Sequence, residues 1–533
     1  MMSYKLVAAF WLSALWAQES LYLAFFQGKP DSLLAYPEVY LSPAALERRR
    51  LQGIPISSSD LPVSSQWIKE LSKHGRVWSA SRWLNAALVE TQNPEQIYRL
   101  PFIQCIEPLT QARSKDNPSL TGALSPLDPK KTLTRANQVQ LDQLKLPMLH
   151  QMGLLGRGIR VAILDAGFPY MDQIPAFRHL FQEGRYIIGY DFVAGDSTIF
   201  GDNAHGTQVA SVIVAHDTVQ LGYHGGAPQV SVILARTENA LSESKIEEWN
   251  WARAAEWADS LGAHIIQSSL GYSTFDDPAE NYSYADMNGQ TAITTQAARI
   301  AAQKGLLVIT SAGNEGNSPW RYITAPADAD SVIAVGAINA AGQIAPFSSR
   351  GPTSDGRIKP DLVAMGWGTY IVGLSGTVQQ ASGTSFSAPL MTSLAACLWQ
   401  AAPTLPGWAI REALIRSADR AHAPDTIYGY GLPDAEKAYL HLRELSLTLP
   451  QSPQLQVYPN PTSDQLTISL QDGALGWYDM EIYDSEGKSL LRQPYRGMTE
   501  LVLSVKHWKA GLYFLHIISR GSGQSFYTPF VKL

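Results

Sequence analysis

Two cysteines in 533 residues, Cys105 and Cys397, leave this chain almost without disulfide chemistry. They fall in segments that composition separates below, so two unpaired buried thiols are expected instead of a cross-link. Charge is scarce as well, with Asp, Glu, Lys and Arg together making 17% of the chain. Against 47 acidic residues stand 41 Lys and Arg, a formal net charge of -6. The basic excess that a phosphate backbone requires is missing, which excludes nucleic acid as a partner. Long apolar runs are missing too. The run from Leu6 to Trp16 falls short of the roughly 20 residues that cross a bilayer, and polar Gln18 and Glu19 end it. Preceded by Lys5 and followed by small Ala17, it reads as a secretory signal over residues 1–17, with no cysteine after it to carry a lipid. No later segment reaches spanning length, so no membrane span is expected.

What the chain does hold is apolar surface (45%) and turn formers, 41 Gly and 32 Pro. Large cores joined by sharp turns follow from that. At about 100 to 200 residues per domain, the length suggests three or so folded units. Residues 18–129 read as a small α+β module and a linker. Ser64–Ser72 has helical spacing, Val77–Val89 is strand-like, Asn93–Leu100 opens on a capping residue and Phe102–Ile106 is a further strand. The stretch from Gln111 to Pro129 has linker composition.

Residues 130–445 alternate short apolar strands with helices, the pattern of a doubly wound, mostly parallel α/β sheet. Strands are expected at Arg160–Leu164, Val230–Ala235, His264–Ser268, Leu306–Thr310 and Val332–Ala337. Helices are expected at His205–Ala215, Ile246–Leu261, Thr291–Lys304 and Ser387–Ala402. A Pro-containing linker, residues 446–456, leads to residues 457–533, where alternating strands at Gln465–Leu470, Trp477–Tyr483, Glu500–Val505 and Leu512–Ile518 suggest a small β-sandwich.

In a doubly wound sheet, reactive groups gather beyond the carboxyl ends of the strands. Three segments place such groups there. Val161 to Gly167 puts Asp165 at the exit of a buried strand, where a charge needs a partner. His205-Gly206-Thr207 opens a helix with a histidine and lacks the spaced ligands of a zinc site. Ser382-Gly383-Thr384-Ser385 is a tight turn leading into a helix apolar on almost every face, which must therefore be buried. A serine attacks a carbonyl only when a base takes its proton, and an ionised aspartate supports that base. In a fourth segment, Ser311-Ala312-Gly313-Asn314-Glu315-Gly316, the amide of Asn314 can donate to a developing oxyanion. Gly153, Gly156 and Gly158 precede a strand instead of following it, so they do not make a dinucleotide turn.

These four segments, in this order, resemble the Asp, His, Asn and Ser motifs of the subtilisin-like serine peptidases. Phe347-Ser348-Ser349-Arg350-Gly351-Pro352 and Lys359-Pro360-Asp361 resemble a stretch that family carries before its serine. The resemblance spans roughly residues 135–440. It implies a secreted endopeptidase acting on protein or peptide substrates, with Asp165, His205 and Ser385 as triad and Asn314 in the oxyanion hole. It further implies that Ser269, Leu270 and Gly271, with Ser311, Ala312 and Gly313, line the substrate cleft. No cofactor is required for such chemistry.

Many relatives hold structural calcium where this chain reads His216 to Gly222, so a calcium site is unsupported and the metal content is unknown from sequence. Asp286-Met287-Asn288-Gly289 falls short of a calcium loop and reads as a surface turn. Tyr272, after Gly271, is bulkier than the residue common there and is expected to narrow the cleft. Residues 18–129 resemble an inhibitory propeptide in position and size. The last block resembles the C-terminal sorting domain of type IX secretion substrates, through Val457-Tyr458-Pro459-Asn460-Pro461, Asp484-Ser485-Glu486-Gly487 and Lys509-Ala510-Gly511-Leu512-Tyr513. The expected partners are therefore substrate, the chain's own propeptide and the type IX machinery, and the expected destination is the cell surface or medium. The competing reading is a catalytically retired adhesion or binding protein on a peptidase fold.

Overall fold

Apolar runs bounded by glycine turns become strands along the whole chain in the computed structural model, which describes residues 20–29, 36–109, 125–126, 136–448, 454–471, 477–496, 500–520 and 525–533. The expected signal segment and most of the polar linker lie outside the described residues.

The N-terminal module is an antiparallel sheet of β1 (Ser20–Phe26), β2 (Arg76–Ser81), β3 (Ala86–Thr91) and β4 (Ile103–Leu109), ordered β2-β3-β1-β4, with helices α1 (Pro43–Gln52), α2 (Ser65–Leu71) and α3 (Pro94–Tyr98). The strand expected over Val77–Val89 is instead a hairpin. Residues Arg82 to Asn85 turn between β2 and β3, and Asn85 takes the left-handed φ of 49° that the turn requires. Two elements escaped the sequence reading. β1 follows the apolar leader so closely that its hydrophobicity reads as a continuation of it. α1 buries Arg48 and Arg49 along with Ala45, so it lacks the apolar period by which helices are recognised.

The central domain carries seven parallel strands, β5 (Arg160–Asp165), β6 (Tyr186–Asp191), β7 (Ser231–Arg236), β8 (Ile265–Ser268), β9 (Leu307–Ser311), β10 (Ile333–Ile338) and β11 (Leu362–Met365), in the order β11-β10-β9-β8-β5-β7-β6. Burial on both faces explains the apolar runs of the strands other than the partly exposed edge strand β6. Val161 and Ile163 pack on one face with helices α4 (His205–Val214) and α7 (Thr384–Ala401), while Ala162 and Leu164 pack on the other with α5 (Lys245–Ser260) and α6 (Ile293–Gln303). From β5 the chain crosses to the edge strand β6, returns through β7 beside β5, and then passes to the other side of β5 through β8. The carboxyl end of β5 is thus a switch point, where doubly wound sheets open a crevice.

The first module lays one face of its sheet on this domain. Leu21, Leu23, Leu88 and Leu109 pack against Trp249 of α5 and Ile293 of α6. Its other face is covered by its own α2 and α3, through Leu71 and Ile97. The C-terminal block is built only of antiparallel strands, in a three-stranded and a four-stranded sheet around a core of Leu466, Ile468, Met480, Ile482, Leu515 and Phe530 among others. Three of its strands, Gln454–Tyr458, Ser489–Arg496 and Ser525–Lys532, were not anticipated; apolar residues such as Leu490, Tyr527 and Val531 lie on their exposed faces and blur the alternation.

Candidate active site

Asp165 ends β5 with its side chain fully buried, and its Oδ1 accepts the N–H of Ala166 at 2.8 Å. The same oxygen lies 2.8 Å from His205 Nδ1. His205 is the first residue of α4, tied down by its own N–H, which donates to Asn203 Oδ1 at 2.9 Å. The next residue has to be glycine. A Cβ on Gly206 would come within 2.3 Å of the Gly167 carbonyl oxygen and 3.0 Å of Asp165 Cβ. This close approach is what brings the helix start against the strand end.

Burial disfavours the imidazolium of His205, but the charge and hydrogen bond of Asp165, helped by Glu238, outweigh it and raise the pKa above its ordinary value. With Nδ1–H donated to the carboxylate, Nε2 is the basic nitrogen.

Ser385 is the second residue of α7, inside the first helical turn, and not ahead of a helix starting at Ser387 as the sequence suggested. The side chain of Ser385 is almost wholly buried, and its hydroxyl stands 3.4 Å from the Ser269 carbonyl oxygen. The ring of the following residue, Phe386, lies 6.1 Å from the His205 ring between centroids. Asn314 turns its Oδ1 to Thr384, accepting the backbone N–H at 2.8 Å and the hydroxyl at 3.0 Å. Its Nδ2 is left facing the turn before the serine, where a Cβ on Gly383 would be 3.7 Å away.

The two expected cleft segments leave the adjacent strands β8 and β9 and flank this turn. Ser311 donates its hydroxyl to the Leu270 carbonyl at 3.2 Å, and the N–H of Gly313 donates to Thr384 Oγ1 at 3.3 Å. A Cβ on Gly271 would meet Thr324 Oγ1 at 2.1 Å, so this position also needs glycine. Ser269, Leu270, Gly271, Ser311, Ala312 and Gly313 are thereby brought around the residues preceding Ser385.

Tyr272 does not narrow the cleft. Its ring is buried in the core with Trp251 and Ala325, and its hydroxyl donates to Glu238 Oε1 at 2.6 Å.

Glu238 itself was missed by the sequence reading. It lies two residues beyond the end of β7, close to the level at which Asp165 ends β5, which was the available signal. Burial outweighs the hydrogen bonds from Tyr272 and Thr237 and pushes its carboxyl up to about 7.

The oxygens of the Asp286 turn are spent locally. Asp286 accepts the N–H and hydroxyl of Ser283, and Asn288 accepts the N–H of Gln290. In the His216 to Gly222 stretch, Asp217 accepts the N–H of Gln220. Among the described residues, no group of three or more His, Cys, Asp or Glu side chains is arranged to hold a metal ion. Cys105 and Cys397 are both free thiols.

The family model described as the subtilase family (peptidase S8) matches residues 156–431, a span that contains Asp165, His205, Asn314, Ser385 and the cleft segments. This chain belongs to the subtilase family. It is 29% identical to subtilisin BL of Lederbergia lenta over 298 residues, covering 56% of this chain and 97% of that protein. It is 30% identical to subtilisin DY of Bacillus licheniformis over 296 residues, covering 55% of this chain and 96% of that protein. Against subtilisin E of Bacillus subtilis it is 30% identical over 301 residues, covering 56% of this chain and 70% of that protein.

This subtilase is thus a subtilisin-like serine endopeptidase. Residues 21–121 match the peptidase S8 propeptide domain of Bacteroidota, and residues 456–526 match the secretion system C-terminal sorting domain. The sorting domain marks the enzyme for secretion or the cell surface. Among the described residues, no helix is long and apolar enough to cross a membrane.

Proposed function

We propose that this subtilase cleaves peptide bonds through an acyl-enzyme on Ser385. The reading is carried by one observation, the 2.8 Å contact between His205 Nδ1 and the buried carboxylate of Asp165. That contact fixes the tautomer, leaves Nε2 as the base and stabilises the imidazolium formed when the base is loaded.

As Ser385 Oγ bonds to the scissile carbonyl carbon, its proton passes to His205 Nε2 and the carbonyl π electrons move onto oxygen. Asn314 Nδ2 donates to that oxyanion. Collapse of the intermediate breaks the C–N bond, and the imidazolium hands its proton to the departing amine. Water then attacks the ester with the same base, releasing the acid and restoring the serine. Substrate backbone runs extended along Ser269–Gly271 and Ser311–Gly313, where glycine admits a close approach.

Residues 18–129 act as inhibitor until they are cut away, and residues 457–533 hand the enzyme to the type IX machinery. A fluorophosphonate probe tests the reading, since only an activated serine reacts with it. The enzyme should be labelled, and Ser385→Ala should abolish both labelling and hydrolysis down to the residual level of binding and oxyanion stabilisation. An unlabelled, properly folded wild-type enzyme would instead identify a retired binding protein.

A further inference from the structure

Pro389 lies inside α7, four residues after Ser385. It has no N–H to give to the Ser385 carbonyl, which is the bond an uninterrupted helix would make. A buried carbonyl must find a donor elsewhere. It finds the hydroxyl of Ser269, at 2.8 Å. Ser269 in turn accepts from Gln267 Nε2 at 2.8 Å, and Gln267 Oε1 accepts the hydroxyl of Thr392, one turn further along α7. Gln267 and Thr392 are fully buried and Ser269 nearly so.

The order of donors has a consequence. An amide NH2 only donates, so Ser269 Oγ is the acceptor of that bond and its single proton is left for Ser385. If the Gln267 amide were reversed, its oxygen would compete for that proton and weaken the hold on the Ser385 carbonyl. In the orientation present, Thr392 donates to Oε1 while Nε2 donates to Ser269, so both ends of the Gln267 amide are engaged.

We propose that Gln267 and Thr392 are positioning residues for the nucleophile, orienting the Ser269 hydroxyl so that it locks the first turn of α7 onto the end of β8. The inference rests on Ser385 being the nucleophile. Neither residue touches substrate. They act through Ser269, on which the placement of Ser385 against His205 and Asn314 depends, and displacement of a reacting group by about 1 Å can cost on the order of 100-fold in rate.

The test compares Gln267→Met, Thr392→Val, the double variant and Thr392→Ser in the full chain, matured in trans by a trace of wild-type enzyme. Four quantities are read: kcat and KM on a peptide, the fluorophosphonate labelling rate, and Tm. Each single apolar variant should lose about tenfold in kcat and labelling rate with KM within about twofold. The double variant should be no worse than the poorer single one, because both break one chain. Thr392→Ser, which keeps the hydroxyl, should recover most of the loss. Variants that lower Tm but label at the wild-type rate would overturn the proposal, as would additive losses in the double variant. If Gln267→Met fails to fold, the contrast between Thr392→Val and Thr392→Ser decides alone. Failure of the wild-type enzyme to label would count against the nucleophile assignment itself, separately from this network.

Discussion

Thr384 holds the side-chain oxygen of Asn314 with two donors, its N–H at 2.8 Å and its hydroxyl at 3.0 Å, so the amide of Asn314 can present only Nδ2 to the turn before Ser385. A donor fixed before the reaction pays no reorganisation when charge develops. Asn314→Ala should therefore lower kcat by roughly 10²- to 10³-fold with little change in KM, a magnitude taken from measurements on a subtilisin and not obtained from this geometry. Thr384→Val, which removes one of the two anchors, should give a smaller loss in the same direction. Steady-state kinetics on a short peptide measure both, and an Asn314→Ala enzyme with wild-type kcat would remove this residue from the oxyanion hole.

The pH profile follows from the sign of the His205 shift. The base is useful only when neutral. Burial disfavours its charged form, but the Asp165 carboxylate, with help from Glu238, wins and raises the pKa. The acid limb of kcat/KM should then have its midpoint above the ordinary imidazole value of about 6.5. Glu238→Gln removes one of the charges that favour the imidazolium and should move that midpoint to lower pH. A limb that stays put in this variant would mean that Glu238 does not act on the base.

Between the N-terminal module and the catalytic domain lies a buried set of ion pairs. Arg48 and Arg49 of α1 bind Asp259 at 2.5 and 2.6 Å, and Asp60 binds Lys304 at 2.8 Å. Arg49 also binds Asp60, at 2.8 Å, so removing Lys304 leaves that buried carboxylate with one cation instead of two, a smaller loss than the roughly 3–5 kcal/mol for breaking a buried pair outright. Lys304→Met in the mature enzyme should weaken inhibition by added segment 18–115 by at least about tenfold and leave peptide hydrolysis unchanged. Burial pushes the Asp60 carboxyl up, yet Arg49 and Lys304 outweigh it and hold it at about 2. A depressed carboxyl contributes binding above its ordinary value of about 4 and loses it as pH falls toward 2. This clamp should therefore give the same inhibition constant at pH 5 and pH 7.5. Loss of inhibition at pH 5 that Lys304→Met abolishes would contradict that sign.

Where function demanded a residue type at a strand end, the sequence was readable. Asp165, His205, Asn314 and Ser385 each interrupt an apolar pattern with a reactive group, and the structure brings Asp165 to His205 and Asn314 to the turn before Ser385. Five of the seven parallel strands were readable for a related reason, since double-sided burial makes them unbroken apolar runs, whereas the two edge strands, the partly exposed Tyr186–Asp191 and the four-residue Leu362–Met365, were not anticipated. What stayed hidden is whatever depends on partners distant in sequence. Arg48 and Arg49 look like solvent-facing charges until Asp259 is beside them. Tyr272 looks like an obstruction in the cleft until Glu238 draws its hydroxyl into the core. Gln267 looks like an irregularity in a strand until Thr392 and Ser269 are placed on either side of it.

The last expectation concerns the C-terminal block. Helix Ala435–Thr448 belongs to the catalytic unit, because Ala435, Ala438 and Leu442 lie in the core that also holds Ile410 and Leu414. The sandwich beyond it has a core entirely its own, with no residue shared with the catalytic domain. Removing residues 454–533 therefore opens no cavity beside the sheet and disturbs none of the contacts around Ser385. A chain ending at residue 450 should keep its peptide hydrolysis, fluorophosphonate labelling and Tm of the catalytic transition. Made in a host with type IX secretion, it should accumulate in the periplasm, because the part that the secretion machinery reads is gone. Hydrolysis assays on the purified form and activity in periplasmic, surface and medium fractions measure the two arms separately. Normal arrival at the surface would show that the block is not the sorting signal. Loss of hydrolysis in a folded protein would show that the sandwich supports the catalytic domain after all.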